Sequence, residues 1–120
     1  MIEGQETKVM SVRDAIIEAM SEEMRRDENV FLMGEDVGVY GGDFGTSVGM
    51  LEEFGSERVR DTPISENAIS GCAVGAALTG MRPIVDVTFM DFIVYMMDNI
   101  VNQAAKTRYM YGGKGSVPVV

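Results

Sequence analysis

Arg60-Asp61-Thr62-Pro63-Ile64-Ser65-Glu66-Asn67-Ala68-Ile69-Ser70-Gly71-Cys72-Ala73 is the stretch on which the reading of this chain turns. A turn ends in one carboxylate, Glu66. A helix of small residues follows at once, through Gly75, Ala76, Ala77 and Gly80. Ser65 can cap that helix, its hydroxyl accepting from the first free backbone N–H groups. Glu66 then sits in the first turn, where the helix dipole favours negative charge. No other charge occurs between Ser65 and Met81. A lone acid opening an apolar helix is either a dipole-matching residue or a positioned functional carboxylate, and spacing leaves both open.

Upstream of this stretch, Val30 to Met33 is a continuous apolar run stopped by Gly34. It lacks alternation, the mark of a strand buried on both faces of a parallel sheet. Glu35 and Asp36 stand at its C-terminal end, where open α/β sheets gather their ligands. Before it, Val12, Ala15, Ile16, Ala19, Met20 and Met24 recur at spacings of three and four. That predicts an amphipathic helix from Ser11 to about Asp27. Ser11 with Asp14 resembles a capping box, and Glu22 with Arg25 and Arg26 predicts surface ion pairs. Five glycines between Gly38 and Gly49 predict a loop. Gly41-Gly42-Asp43-Phe44-Gly45 is not a phosphate loop, because no Walker lysine follows and the nearby acids would repel phosphate. Met50 to Phe54 predicts a short helix, and Val59 opens a short extended piece.

Downstream, Gly80 stops the small-residue helix. Pro83 to Phe89 predicts a strand, with proline at its first position, where no ladder donor is needed. Asp91 opens a predicted helix to about Met110, with Lys106 and Arg108 at its end matching the dipole. Its apolar residues occupy most of the circumference, which predicts burial on several sides or contact with another subunit. Val117 to Val120 begins another strand, so the chain is expected to be a fragment of a longer protein. The order predicts a three-layer α/β/α domain with a mostly parallel, doubly wound sheet over residues 8–120, after an N-terminal tail at 1–7.

Composition narrows the functions. The chain has 120 residues, 46% apolar and 24% charged, a globular balance. A net charge of −9 argues against nucleic acid or an anionic membrane surface as partner. Residues 1–66 hold 16 acids and 6 bases, whereas residues 67–120 hold 3 acids and 4 bases. The second part has too few charges for an ordinary solvent-facing surface, which predicts a contact with another chain. No apolar run is long enough to span a membrane, and the polar N-terminus lacks a secretory h-region. The single cysteine, Cys72, reads as a small buried hydrophobe, and all of this fits a reducing cytoplasm. The absence of histidine excludes a Ser-His-Asp triad or Cys-His dyad within this chain.

Four motifs then add a resemblance. They are Phe31-Leu32-Met33-Gly34-Glu35-Asp36-Val37, Arg60 to Glu66, Gly80-Met81-Arg82-Pro83-Ile84, and Asn102-Gln103-Ala104-Ala105-Lys106-Thr107-Arg108-Tyr109. In this order they closely resemble the beta subunit of thiamine-diphosphate-dependent 2-oxo acid dehydrogenases, in the pyruvate and acetoin dehydrogenase branch. The wider relatives are transketolase-like pyrimidine-binding domains.

The resemblance implies that Glu66 is catalytic, hydrogen-bonding the aminopyrimidine ring nitrogen of thiamine diphosphate. An acid there supports the imino tautomer through which the cofactor's own amino group accepts a proton. It further implies that Ile64 and Ser65 contact the pyrimidine, that Phe92 stacks on it and that Thr88 and Glu35 lie beside the cofactor. Phe89, Met90, Asp91 and Phe92 are implied to line the substrate cavity. Without the resemblance, Phe92 reads equally as helix core and Glu35 as a loop acid.

The family binds the diphosphate and its magnesium through a Gly-Asp-Gly motif on a partner chain, usually the alpha subunit. No such motif occurs here, so this chain is expected to hold the pyrimidine end only and no metal. The implied partners are the alpha subunit, a second beta subunit and the lipoyl acyltransferase component, in a heterotetrameric oxidoreductase. Pyruvate, acetoin and branched-chain 2-oxo acids remain open as substrates. An alternative is that the 120-residue chain by itself is a non-catalytic binding or assembly module. A Rossmann-type nucleotide binder is set aside, because no Gly-x-Gly-x-x-Gly turn joins strand to helix.

Overall fold

The computed structural model describes residues 8–120. The tail expected at 1–7 lies outside the described residues. Helix α1 spans Val12–Arg26, and the Ser11 hydroxyl caps it by accepting from the Asp14 N–H at 3.1 Å. Strand β1 (Val30–Gly34), the short helix α2 (Met50–Phe54), strand β2 (Val59–Asp61), helix α3 (Glu66–Leu78) and strand β3 (Arg82–Asp86) follow.

The three strands form one parallel sheet in the order β2-β1-β3. The central strand explains the unbroken apolar run. Val30 and Leu32 pack on one face with Met24 of α1 and Met50 of α2. Phe31 and Met33 pack on the other with Ile69 and Ala73 of α3 and with Met96. Each residue of β1 is thus buried from one side or the other, and the sheet lies between two helical layers. The expected three-layer arrangement is observed.

Arg58 binds the layers at the other end. Its guanidinium donates to the carbonyls of Met24 (2.7 Å), Asp27 (2.9 Å) and Val30 (2.6 Å). The Met24 carbonyl, freed in the last turn of α1, is thereby satisfied.

Several local expectations are corrected. Strand β3 stops at Asp86 instead of running to Phe89. Thr88 has φ +54° and its N–H turns back to Asp86 Oδ1 at 2.8 Å, which removes it from a ladder. The predicted helix over 91–110 is three windings in succession. A 3-10 segment spans Met90–Met96, a π-helical segment Asp98–Ala104, and helix α4 Ala105–Met110. Among its residues Met96 and Thr107 are buried, whereas Val94, Tyr95, Tyr109 and Met110 are largely exposed. Burial on several sides is therefore not met within this chain.

Val117 to Val120 forms no full strand. Val85 N–H donates to the Val120 carbonyl (2.8 Å) and Val120 N–H to the Pro83 carbonyl (3.1 Å), so only the last residue reaches the edge of β3. Pro118 has no N–H to extend the pairing. Cys72 is exposed, because it lies on the face of α3 turned away from the sheet. The ion pairs expected of Glu22 are made by others: Arg25 pairs with Glu53 of α2, and Arg26 with Glu23.

Candidate functional site at the strand ends

The three strands end side by side. Gly34 is in register with Asp61 of β2 and with Asp86 of β3. A side chain at Gly34 would meet the Asp86 carbonyl at 2.9 Å, so the strand ends stay close. The step from β1 to β2 runs one way across the sheet, and the step from β2 to β3 returns across β1. Reversal at the C-terminal ends of parallel strands opens the crevice in which such sheets bind ligands.

Glu35 follows the last residue of β1, at this end of the sheet. Its Oε1 is buried without a hydrogen-bond partner, and so is Thr62 Oγ1 just beyond β2. Burial pushes the Glu35 carboxyl above the ordinary glutamate value. The negative charge of Glu66 adds to that rise, as do Asp36 and Asp43, and the Ser65 backbone N–H opposes it. Two acids from different elements, Glu35 and Glu66, are thus brought within electrostatic reach.

Glu66 is the first residue of α3 and half-buried. Its carboxylate has no ion-pair partner among the described residues. Ser65 does not cap the helix as expected. At φ −168° and ψ 81° its side chain makes no cap hydrogen bond, and its N–H turns toward Glu35 instead. Ile64, with 83% of its surface exposed, presents an apolar side chain beside them.

The aromatic expectations form a second group. Phe89 and Phe92 meet edge to face with centroids 5.8 Å apart, and Tyr95 continues the row at 6.5 Å from Phe92. Phe89 and Phe92 keep part of their surface open, and Met90 and Asp91 between them are exposed. The structure therefore keeps Phe92 out of the helix core. Thr88 precedes them in a left-handed backbone conformation that a β-branched residue rarely adopts.

Three contributors escaped the sequence reading. Phe44, from the glycine-rich loop, packs edge to face on Phe89 at 5.6 Å. Thr46 of the same loop donates to Asp86 Oδ2 at 3.0 Å. Asp61 Oδ1 accepts from the Gly38 N–H at 2.6 Å, a close approach that a side chain at residue 38 would block. The signal for Phe44 was a lone aromatic between loop glycines. For Thr46 and Asp86, pairing across 40 residues left no local trace.

The donor set fits one end of a heteroaromatic cofactor. An unpaired carboxyl, an exposed aliphatic side chain and open aromatic faces suit a flat ring with polar nitrogens. The charged neighbours that act most strongly on Glu35 are acids, an unfavourable setting for a phosphate group. Among the described residues, no group of three or more His, Cys, Asp and Glu side chains is arranged to hold a metal ion. No helix among them is long and apolar enough to cross a membrane.

Comparison with known proteins agrees with this architecture. Residues 8–120 match the family described as "Transketolase, pyrimidine binding domain". The chain is 50% identical over 117 residues to the pyruvate dehydrogenase E1 component subunit beta of Rhizobium meliloti, covering 98% of this chain and 25% of that protein. It is 52% identical over 112 residues to the 2-oxoisovalerate dehydrogenase subunit beta of Bacillus subtilis, covering 93% and 34%. It is 48% identical over 124 residues to the acetoin:2,6-dichlorophenolindophenol oxidoreductase subunit beta of the same organism, covering 93% and 36%. The chain thus spans about a quarter to a third of the length of these relatives. With a match across every described residue, this chain belongs to the transketolase pyrimidine-binding domain family.

Proposed function

We propose that this chain is the pyrimidine-binding part of the beta subunit of a thiamine-diphosphate-dependent 2-oxo acid dehydrogenase. The observation that carries the reading is the unpaired, half-buried Glu66 at the head of α3, within electrostatic reach of the half-buried Glu35. Thiamine diphosphate, when bound, supplies the electron sink that lets a bond next to the substrate carbonyl break. Glu66 holds a proton at its carboxyl oxygen against the pyrimidine ring nitrogen. Ile64 and Phe92 would offer apolar surface to the ring, Ser65 and Thr88 would flank it, and Glu35 would lie beside the cofactor. Phe89, Met90, Asp91 and Phe92 form the substrate side, where the two phenyl rings offer apolar surface.

The diphosphate and its magnesium fall to the alpha subunit in this reading: the acids around Glu35 would repel a phosphate, this chain has no Gly-Asp-Gly motif, and no group of acids among the described residues is arranged to hold a metal ion. The assembly is a heterotetramer of two alpha and two beta chains, placed in the cytoplasm. It acts as an oxidoreductase that hands an acyl group to a lipoyl acyltransferase. Pyruvate is the substrate favoured here, and acetoin and branched-chain 2-oxo acids are the alternatives, following the names of the relatives.

The test is Glu66→Gln in the full assembly. Turnover should fall by about 10²–10⁴-fold, the share of a positioned acid–base group, with the fold intact. Near-normal turnover would sink the assignment. For the 120-residue chain alone, we propose a binding and assembly role without turnover. Calorimetric titration with thiamine diphosphate and magnesium should find no dissociation constant as tight as about 1 μM, or −8 kcal/mol.

A further inference from the structure

Asn99 lies 33 residues beyond Glu66 in the chain, yet its side chain reaches the turn that carries Glu66. Asn99 Nδ2 is 2.8 Å from Asn67 Oδ1, 3.0 Å from the Asn67 carbonyl and 2.9 Å from Ser70 Oγ. The Ser70 hydroxyl in turn donates to the Glu66 carbonyl at 2.9 Å, with the Asn67 carbonyl at 3.1 Å. A continuous set of hydrogen bonds therefore runs from Asn99 through Ser70 to the backbone of Glu66. Among the described residues it is the one side-chain hydrogen-bond link between α3 and the 90–111 segment.

Two features show that the backbone accommodates this contact. Asn99 lies in the π-helical segment Asp98–Ala104, a winding that is rare and concentrates at functional sites. Facing it on α3 is Gly71, where even a methyl group would already touch the Asn99 carboxamide at 3.6 Å. A short side chain from the widened turn thus crosses between the two helices, at ordinary contact distance from position 71.

We propose that Asn99 is a positioning residue for Glu66. Its carboxamide fixes the first turn of α3 to the π-helical segment, and so fixes where the Glu66 carboxyl points. The segment that carries Phe89 and Phe92 is tied to the same turn, so the acid and the aromatic row keep their spacing. The proposal rests on the reading of Glu66 given above. A group that must meet a ring nitrogen within hydrogen-bond range loses much of its effect on a shift of about 1 Å.

The experiment uses the full-length beta chain assembled with its alpha partner, in four forms: Asn99→Ala, Asn99→Asp, Asn99→Gln and Glu66→Gln. Asn99→Asp keeps the volume and removes the donor, so it decides the matter if the alanine variant does not fold. We expect Asn99→Ala and Asn99→Asp to lower kcat by about 10- to 100-fold, with KM for the oxo acid within about twofold. The pH profile of kcat should shift, because the environment of Glu66 changes. Amide hydrogen exchange at Asn67 to Ser70 should quicken without bound cofactor. Asn99→Gln, which keeps the donor on a longer arm, should recover part of the rate. A merely structural role would lower the melting temperature and leave kcat and its pH profile in place. Wild-type kcat and pH profile in the alanine and aspartate variants, with Glu66→Gln inactive, would overturn this proposal alone. A fully active Glu66→Gln would overturn both readings.

Discussion

Thr46 donates its hydroxyl to Asp86 Oδ2 at 3.0 Å, tying the glycine-rich loop to the end of β3. The other carboxylate oxygen of Asp86 accepts the Thr88 N–H at 2.8 Å and holds that residue in its left-handed conformation. One side chain thus fixes the loop that carries Phe44 and the turn that leads to Phe89. Hydrogen bonds to a charged group contribute about 1.5–3 kcal/mol each. Asp86→Ala loses both and should destabilise the chain by about 3–6 kcal/mol on that scale, while Thr46→Val should remove only the loop tether. Urea denaturation of both variants checks this. Equal and negligible losses would show that the tether holds nothing.

Glu35 should make stability depend on pH. Its folded carboxyl is held above the ordinary value, first by burial and then by Glu66. A raised acid binds its proton more tightly in the folded than in the unfolded chain. The sign is therefore a penalty on folding at neutral pH that disappears as pH falls below the ordinary glutamate value. Glu35→Gln removes the buried charge. The variant should be more stable than wild type at pH 7 to 8, and the gap should close toward pH 4. Melting temperatures measured across that range decide it, and a gap independent of pH would contradict the assignment of charge as the cause.

Much of this was legible in the residues, for physical reasons that differ by element. The run Val30 to Met33 announced β1 because a strand covered on both faces has no polar side to show. Ser11 announced the start of α1, and its cap is observed. Ser65 failed as a cap at an equally good sequence position, since capping needs a backbone angle that the turn after Pro63 does not supply. Thr88 read as strand because β-branched residues favour strands, yet the Asp86 carboxylate claimed its N–H. The 91–110 stretch read as one α-helix because apolar patterning cannot separate 3-10, α and π windings. The pairing of Glu35 with Glu66 was invisible to spacing. It arises only when the strand ends line up.

Arg58 should matter more to stability than its half-buried position suggests. It donates to three carbonyls around the junction of α1 and β1, and its guanidinium lies 5.5 Å from the Phe54 ring centroid. Lysine offers a point charge and cannot span this set of acceptors. Arg58→Lys should cost about 1–3 kcal/mol and Arg58→Ala more, because the Met24 carbonyl loses its partner and the Asp27 and Val30 carbonyls lose a charged donor. Denaturant midpoints test the order. An alanine variant as stable as wild type would show that water replaces the guanidinium at no cost.

The last expectation concerns the face that this chain leaves bare. Val94, Tyr95, Ile100, Val101, Tyr109 and Met110 are each exposed by more than a third. On α3, Cys72 is exposed, and no atom lies within 4 Å of where a side chain at Gly75 would begin. Residues 67–120 carry only seven formal charges to keep such surface in water. Monomers seldom expose more than a few hundred Å² of contiguous apolar surface, about 300–600 Å² at most. A face of this kind is satisfied by a copy of itself, since isologous two-fold contacts are the commonest solution. The chain should therefore self-associate through the 90–111 segment, and Ile100→Glu should weaken that association by placing a charge in the contact. Sedimentation velocity at several concentrations reads the outcome directly. A wild type that stays monomeric across the range, with this segment open to solvent, would remove the hypothesis.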